Sequence, residues 1–224
     1  MNIENKSYTN DDLPESSLLN LIAQSNLSDL TIDVGEAFFD QLLGNGLVRD
    51  IPVLGIIINL AKTGKDINNY LFVKKIFRFL THIEEIPQNQ REKFITDIKS
   101  NEQFKKRVGE NLLLLLDRLD DMQKAEFLSK AFKAYIEGNI NYSTYHSLGR
   151  AIDRVNLDNL VALVDFYQED SNHKVASDEI MQDLQMAGVV NFIPVTGMMI
   201  GPFESYIKNE LGKLFIELII NQKT

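Results

Sequence analysis

The chain contains no cysteine and no tryptophan, and only three of its 224 residues are histidines. The absence of cysteine excludes disulfides, thiolate nucleophiles and cysteine-ligated zinc or iron–sulfur sites. His82, His146 and His173 are scattered and form no HExxH pair. Glycine-rich phosphate-binding signatures are also missing, and no serine or threonine has an identifiable base placed beside it. The sequence therefore predicts a protein that is not an enzyme, with no cofactor and no metal.

Basic residues are in the minority, since 23 Lys and Arg stand against 32 Asp and Glu, for a formal net charge of −9. A general nucleic-acid coat needs excess cations to neutralise phosphates, so no nucleic-acid partner is expected. The charge is uneven along the chain. Residues 1–40 hold eight acidic residues and one basic residue, whereas residues 41–110 hold twelve basic and eight acidic ones. We interpret residues 1–14 as a flexible acidic N-terminus, and only the basic middle could meet an anionic surface.

The beginning of the chain, MNIENKSYTNDDLPESS, lacks the cationic and apolar regions of a secretory signal. A cysteine-free chain without such a signal is expected in the cytoplasm. Peripheral association with the inner membrane stays open.

Helical periodicity dominates, and no convincing strand alternation is seen. The clearest helix is predicted at 65–86, where apolar residues recur at steps of three and four, Val73 and Phe79 widen the stripe, and Pro87 closes the helix. Further helices are predicted at 88–98, 102–119, 121–137, 142–155, 158–167, 177–186 and 204–220. The sequence thus predicts an all-α multi-helix bundle of about nine or ten helices. We expect one all-helical domain over 15–224, with an inserted helical subdomain at 88–170 as an open alternative.

Several residues are typical of helix ends. Gly138 suits the position after a helix, Asn141 or Ser143 can cap the next helix, and Ser177 can cap a later one. The five-leucine run 112–116 predicts a helix buried on most sides. Three aspartates follow it: a cation site is conceivable there, but capping of the next helix by the second or third is favoured. These residues are Asp117, Asp120 and Asp121.

An internal echo relates residues 46–58 to residues 188–200, with seven of thirteen positions identical in the pattern GxVxxIPVxGxxI. The proline of each copy suits the first turn of a helix, and the glycine three residues later allows another backbone to approach closely. These residues are Pro52 and Gly55 in the first copy and Pro194 and Gly197 in the second. We interpret the echo as two helix-turn-helix units, near the N- and C-termini, that pack together with approximate symmetry. Chance convergence is the alternative.

Twenty residues without a charge, 184–203, are long enough to span a bilayer, and the first copy has a shorter uncharged segment at 51–61. Prolines and glycines argue against a constitutive span, so burial in the core is favoured over insertion on activation. The side chains of Lys74, Lys75 and Arg78 could face anionic lipid. The candidate interaction or membrane-surface residues are therefore Lys74, Lys75, Arg78, Pro52, Gly55, Pro194, Gly197, Met198 and Met199.

A resemblance to known bacterial proteins rests on two segments of the chain, LFVKKIFRFLTHIEEIPQNQREKFI and LLLLLDRLDDMQKAEFLSKAFKAYIEGNINYSTYHSLGRAIDRV. Over roughly residues 48–165, the chain resembles a widespread group of uncharacterised bacterial all-helical proteins associated with mobile elements or phage defence. The resemblance implies no established activity and no catalytic residues.

Three functional hypotheses follow from these observations. The leading one is a non-enzymatic helical protein-interaction module that binds a protein partner or itself as a homo-oligomer, in a bacterial defence or mobile-element context. The alternative is a membrane-active effector, pore-forming or membrane-disrupting, that uses segments 51–61 and 184–203. The third is a small-molecule sensor, for which the sequence offers no polar constellation.

Overall fold

Residues 13–24, 67–168, 176–193 and 206–221 are described by a computed structural model. These ranges contain nine α-helices: α1 (Pro14–Gln24), α2 (Ile67–Ile83), α3 (Gln88–Lys99), α4 (Glu102–Arg118), α5 (Met122–Ile136), α6 (Tyr142–Arg154), α7 (Leu160–Tyr167), α8 (Asp178–Ala187) and α9 (Glu210–Phe215). A 3-10 turn (Leu157–Asn159) precedes α7, and a π-helical turn (Ile216–Ile220) continues α9. Two short strands, β1 (Val190–Phe192) and β2 (Tyr206–Lys208), pair antiparallel. The predicted all-α multi-helix class is confirmed.

The chain divides into two compact units, unit 1 (residues 1–129) and unit 2 (residues 130–224), with the division inside α5. Neither end of the predicted insert at 88–170 coincides with this division. The prediction of one domain over 15–224 stays a prediction.

The core of unit 1 is organised around α1, which packs against α3 and α4. Leu18, Leu19 and Ile22 have no exposed surface. A helix of eleven residues is marginal in water by itself, so packing of these side chains must hold α1 in place. Each fully buried leucine or isoleucine contributes about 1.5–3 kcal/mol to that packing.

A glycine sets how closely α1 and α4 approach. A Cβ atom added at Gly109 would lie 2.8 Å from both the Cβ and the carbonyl oxygen of Glu15. Real Cβ atoms do not come so close to other heavy atoms. Helices α1 and α4 can therefore approach this closely only because residue 109 is a glycine, which has no side chain beyond a hydrogen atom.

Two buried cations satisfy backbone carbonyls in unit 1. The Lys75 ammonium donates to the carbonyl oxygens of Asp117 (2.7 Å) and Leu119 (2.8 Å), where α4 ends. Arg91 donates to Ile86 (3.0 Å) and to Ile22 (2.8 Å), whose carbonyl belongs to the last turn of α1. The last carbonyls of a helix have no partner within the helix, so these side chains supply one.

Most of the predicted apolar stripe of α2 is buried. Val73, Ile76 and Phe79 are buried as expected, whereas Leu71, which the same periodicity includes, is 42% exposed. Helix α2 ends at Ile83, before Pro87. Pro87 instead stands at the N-cap position of α3 with ψ of 135°, because proline favours extended backbone and suits the start of a helix.

The leucine run of α4 is less buried than predicted. Leu112, Leu115 and Leu116 are buried, but Leu114 is 60% exposed. Positions three and four apart share one helix face, so five consecutive leucines cannot all point into a core that lies on one side. The expectation of burial on most sides is wrong for this helix.

Helix boundaries in unit 2 follow the predicted capping residues. The Asn141 side chain accepts from the Thr144 N–H at 3.0 Å, and the Ser177 hydroxyl accepts from the Ile180 N–H at 3.4 Å. Gly138 follows α5 with a φ of 75°, a left-handed conformation that favours glycine. The choice left open between Asn141 and Ser143 is thus settled in favour of Asn141.

The last predicted helix, 204–220, is wrong at its beginning. Residues 206–208 form β2, and the helix begins at Glu210. The Asn209 side chain accepts from the Gly212 N–H at 2.8 Å, so it caps α9. The expectation that the chain holds no strand is also wrong, because β2 pairs with β1 across a wide sequence separation that local periodicity does not report.

Aromatic side chains fill part of unit 2. The rings of Tyr135 and Tyr145 stack at 5.5 Å, and Phe132 meets Tyr145 edge-on at 5.2 Å. Burial raises the pKa of Tyr135 from 10.0 to about 12, and the nearby Tyr142 adds to the shift. The pKa of the fully buried Tyr145 is raised mainly by the same cause. Both phenols are therefore held neutral.

We expect stability to fall with alkaline pH because of these tyrosines. Their ionisation is easier in the unfolded chain, so their contribution is fully present below pH 10 and is lost as pH rises toward about 12. Urea unfolding measured across this window should give a decreasing midpoint. The Tyr135→Phe variant should show a shallower fall, and an identical slope would contradict the assignment.

The Gly109 contact predicts the sign of a substitution. An alanine in a helix interior normally stabilises by about 1 kcal/mol relative to glycine. At Gly109, contact with Glu15 should reverse this, and Gly109→Ala should destabilise the protein by about 1–3 kcal/mol. Urea denaturation provides the measurement.

The matched control for this change is Arg107→Ala, at an exposed position of the same helix, which should stay within about 0.5 kcal/mol of the wild type. Stabilisation by Gly109→Ala would show that α1 and α4 do not approach as described.

Candidate functional site

The predicted surface cations do not form one charged face. Lys75 is buried, with its ammonium bound to backbone carbonyls, so it does not present charge to solvent. Burial lowers its pKa, and Asp117 and Asp120 oppose that shift. Lys74 is half-buried, and Arg78 is exposed and paired with Glu126 at 3.2 Å. A surface role for Lys74 and Arg78 stays a prediction.

The remaining predicted site residues lie outside the described ranges, as does the whole first copy of the echo. These residues are Pro52, Gly55, Pro194, Gly197, Met198 and Met199.

The described half of the uncharged stretch is not one continuous helix. Helix α8 ends at Ala187, Gly188 turns the chain with a φ of 86°, and β1 follows. No helix within the described ranges is long and apolar enough to cross a membrane.

The aspartates after the leucine run serve the backbone and a neighbouring lysine. The Gln123 N–H donates to Asp121 at 2.6 Å, which makes Asp121 the cap of α5. Asp120 contacts Lys124 at 2.7 Å, and this hydrogen bond lowers the pKa of Asp120. No group of three or more metal-ligating side chains occurs in the part of the chain that the structure describes.

The densest set of polar contacts in unit 2 surrounds Tyr167 and Asn209. The Tyr167 hydroxyl accepts from the Asn209 N–H at 2.8 Å and donates to the Val189 carbonyl at 2.7 Å. The Asn209 side chain caps α9, and its amide nitrogen donates to the Gly188 carbonyl (3.1 Å) and to the Asn191 side chain (3.0 Å). We call this set the Tyr167–Asn209 junction. It fixes the ends of α7 and α8, strand β1 and the beginning of α9 relative to one another.

Gly212 is part of the same junction. A Cβ atom there would collide with the Val189 carbonyl oxygen and the Tyr167 hydroxyl. Only glycine leaves room for both groups, so the cap, the tyrosine and the glycine form one mutually dependent unit.

The paired strands expose three large apolar side chains, which we call the hairpin surface. Phe192 is 46% exposed, Ile193 47% and Ile207 40%. Directly paired residues point to the same side of a strand pair. Ile207 pairs with Asn191, so these two side chains share one side of the strand pair. Phe192 stands on the other side with the buried Tyr206, and Ile193 follows the end of β1.

A cleft of about 450 Å³ lies between the end of α7 and the α9 segment. Its volume falls in the range typical of small-molecule sites. Its lining residues are Val164, Tyr167, Gln168, Lys208, Asn209, Glu210, Lys213, Ile216, Glu217 and Asn221. The Lys208 ammonium donates to the Tyr167 carbonyl at 3.1 Å and lies 6.0 Å from the centre of its ring, so this lysine is held against the wall.

Sequence reasoning missed both the hairpin surface and the cleft. Both depend on a helix that begins at Glu210, whereas periodicity placed the beginning at 204. The sequence signal for this helix start is Asn209. Asparagine is a favoured N-cap residue, and its side chain can accept from the N–H three positions later, here that of Gly212.

No protein-family model, curated protein or solved structure matches this chain. The hairpin surface and the cleft are therefore interpreted from their own chemistry.

Removing the Tyr167 hydroxyl should weaken unit 2. Tyr167→Phe leaves the Asn209 N–H without its partner and should destabilise the protein by about 1–3 kcal/mol. The matched control is Tyr145→Phe. The Tyr145 hydroxyl is fully buried and has no hydrogen-bond partner among the described residues, so its removal should stabilise by about 1 kcal/mol.

Thermal and urea unfolding of the two variants give the comparison. Opposite signs for two chemically identical changes are expected. Equal effects would show that the junction does not hold the segment.

Proposed function

We propose that this protein is a non-enzymatic interaction module that self-associates through the hairpin surface. The observation that supports the proposal is the exposure of Ile207 (40%) and Ile193 (47%), with Phe192 (46%) on the other side of the same strand pair, which the Tyr167–Asn209 junction holds in place. Exposed apolar side chains favour association, because burial removes their surface from water at about 25 cal/mol per Å².

The fixed geometry of this surface favours binding as well. Ordering side chains and loops at an interface costs about 0.5–1.5 kcal/mol for each immobilised side chain. The strand pair is already held by hydrogen bonds of the junction to the Asn191 side chain and to the Val189 and Gly188 carbonyls, which directly precede β1 or lie within it. Less ordering is then needed when a partner binds.

A second copy of the chain fits the charges beside the apolar centre. Lys208 and Glu210 are exposed, follow Ile207 within three positions of the chain and carry opposite charges. In a two-fold interface the same surface of both copies is in contact, in opposite orientations. A surface that carries both signs of charge can therefore pair the lysine of one copy with the glutamate of the other. A patch of one sign would repel its own copy.

The cellular context of the proposal is bacterial defence or a mobile element, and it rests on the resemblance of residues 48–165. Insertion of segments 51–61 and 184–203 into a membrane is the competing reading of the same apolar sequence, and leakage of anionic vesicles separates the two.

Substitution in the hairpin surface tests self-association. Ile207→Lys places a charge at the centre of the proposed interface, where burial without a partner costs several kcal/mol. We expect the wild type to have the mass of an oligomer in light scattering coupled to gel filtration, and Ile207→Lys to have the mass of a monomer. Circular dichroism should be unchanged, because the side chain is already 40% exposed.

The control is Leu114→Lys in unit 1, where the leucine is 60% exposed and lies outside the hairpin surface. This variant should keep the wild-type mass. A monomeric wild type at high concentration would overturn the proposal, and vesicle leakage by the wild type would favour the membrane-active alternative.

A further inference from the structure

The cleft beside the junction contains charged groups that no other part of the described structure uses. Tyr167, Asn209 and Lys208 are engaged by the junction and by the Tyr167 carbonyl. Lys213 and Glu217, in contrast, have no hydrogen-bond or ion-pair partner among the described residues. They are four positions apart and both line the cleft. One cation and one anion of the same helical segment therefore line the cleft.

The backbone beside these charges departs from regular helix. The Asn221 N–H donates to the Ile216 carbonyl at 2.9 Å, the spacing of a π-helical turn. Such turns are rare and occur frequently at functional sites. Ile216, Glu217 and Asn221 all line the cleft, so the irregular turn forms part of its wall.

The cleft also has an apolar side. Val164, Ile216 and Tyr167 line it, and the Tyr167 hydroxyl is held in position by its hydrogen bonds with two residues, Val189 and Asn209. Small-molecule sites commonly combine such apolar walls with a few polar groups that orient the ligand.

We propose that this cleft binds a small zwitterion, a free amino acid or dipeptide with an apolar side chain. The ammonium group of the ligand faces Glu217, its carboxylate faces Lys213, and its side chain rests on Tyr167 and Ile216. Pairing of both ligand charges with oppositely charged side chains is the strong form of hydrogen bonding.

The balance of charge excludes other classes of ligand. Lys208 and Lys213 are matched by Glu210 and Glu217, so the lining carries no net charge. A nucleotide or another multiply charged anion would meet two glutamates as well as two lysines, and a polyamine would meet two lysines as well as two glutamates, so each would be partly repelled. A molecule with one charge of each sign fits the lining without repulsion.

Binding to the full-length protein can be tested by calorimetry and thermal shift with defined probes. The zwitterionic probes are L-phenylalanine and leucyl-leucine. The analogues are phenylpropionate, which has only the negative charge, phenethylamine, which has only the positive one, and N-acetylphenylalanine amide, which has neither. We expect heat and a raised melting temperature with a zwitterion, and affinity at least about tenfold weaker for the analogues.

Two substitutions identify the groups that bind the charges. Lys213→Gln and Glu217→Gln should each weaken binding of the zwitterion by about tenfold or more. Both residues are exposed, and their side chains have no hydrogen-bond or ion-pair partner among the described residues, so the fold should be unchanged in circular dichroism. The matched controls are Arg150→Gln on α6 and Glu179→Gln on α8, exposed residues outside the cleft, which should leave the affinity unchanged.

Absence of binding by both zwitterions up to their solubility limits would overturn the proposal. Equal binding of N-acetylphenylalanine amide, or unchanged affinity in Lys213→Gln and Glu217→Gln, would overturn it too. The proposal is independent of self-association, because its readout is ligand binding and that of the hairpin surface is molecular mass.

Discussion

The side chain of Asn209 decides where the last helix begins, and the hairpin surface and the cleft both depend on that decision. An asparagine before a helix accepts from a backbone N–H that would otherwise have no partner. Here the Asn209 side-chain oxygen accepts from the Gly212 N–H, while the Asn209 amide nitrogen donates to the Gly188 carbonyl and to the Asn191 side chain. With the helix beginning after residue 209, residues 206–208 are free to pair with β1. If the helix began earlier, β2 could not exist and Lys208 could not lie against Tyr167.

Buried or half-buried polar side chains in both units donate to backbone carbonyls. Lys75 and Arg91 donate to carbonyls at helix ends in unit 1, and Tyr167 and Asn209 do so in unit 2. A buried backbone group without a partner costs free energy comparable to a lost hydrogen bond, so these side chains are needed for short helices to pack closely. Tyr145 is the contrasting case, because its buried hydroxyl has no partner among the described residues.

The sequence predicted helices well where the signal was local. The caps at Asn141 and Ser177 and the turn at Gly138 depend on neighbours within a few residues; Ser177 and Gly138 were identified correctly, and Asn141 was one of the two candidates for its cap. Burial was harder to predict. Leu71 and Leu114 match a helical pattern as well as their buried neighbours do, but which face is covered depends on helices far away in sequence.

The strand pair and the cleft could not be predicted from local sequence patterns, for the same reason. Tyr206, Ile207 and Lys208 continue smoothly into a helical periodicity, and only their pairing with residues 190–192 makes them a strand. Lys213 and Glu217 look like ordinary solvated charges of a helix. Their significance appears only when Tyr167, more than forty positions earlier, is seen to form the opposite wall.

The shared dependence on one junction determines which residues can separate the two proposed activities. Any change at Tyr167, Asn209 or Gly212 disturbs the hairpin surface and the cleft together, so a loss of function there would not identify either surface. Ile207 and Lys213 lie on opposite sides of the junction in sequence, and neither takes part in its hydrogen bonds through its side chain. Additivity holds for sites that share no partners. If the free-energy changes of self-association and of ligand binding caused by substitutions at Ile207 and Lys213 add in the double variant, the two surfaces are independent. If they do not add, the junction couples ligand binding in the cleft to self-association at the hairpin surface.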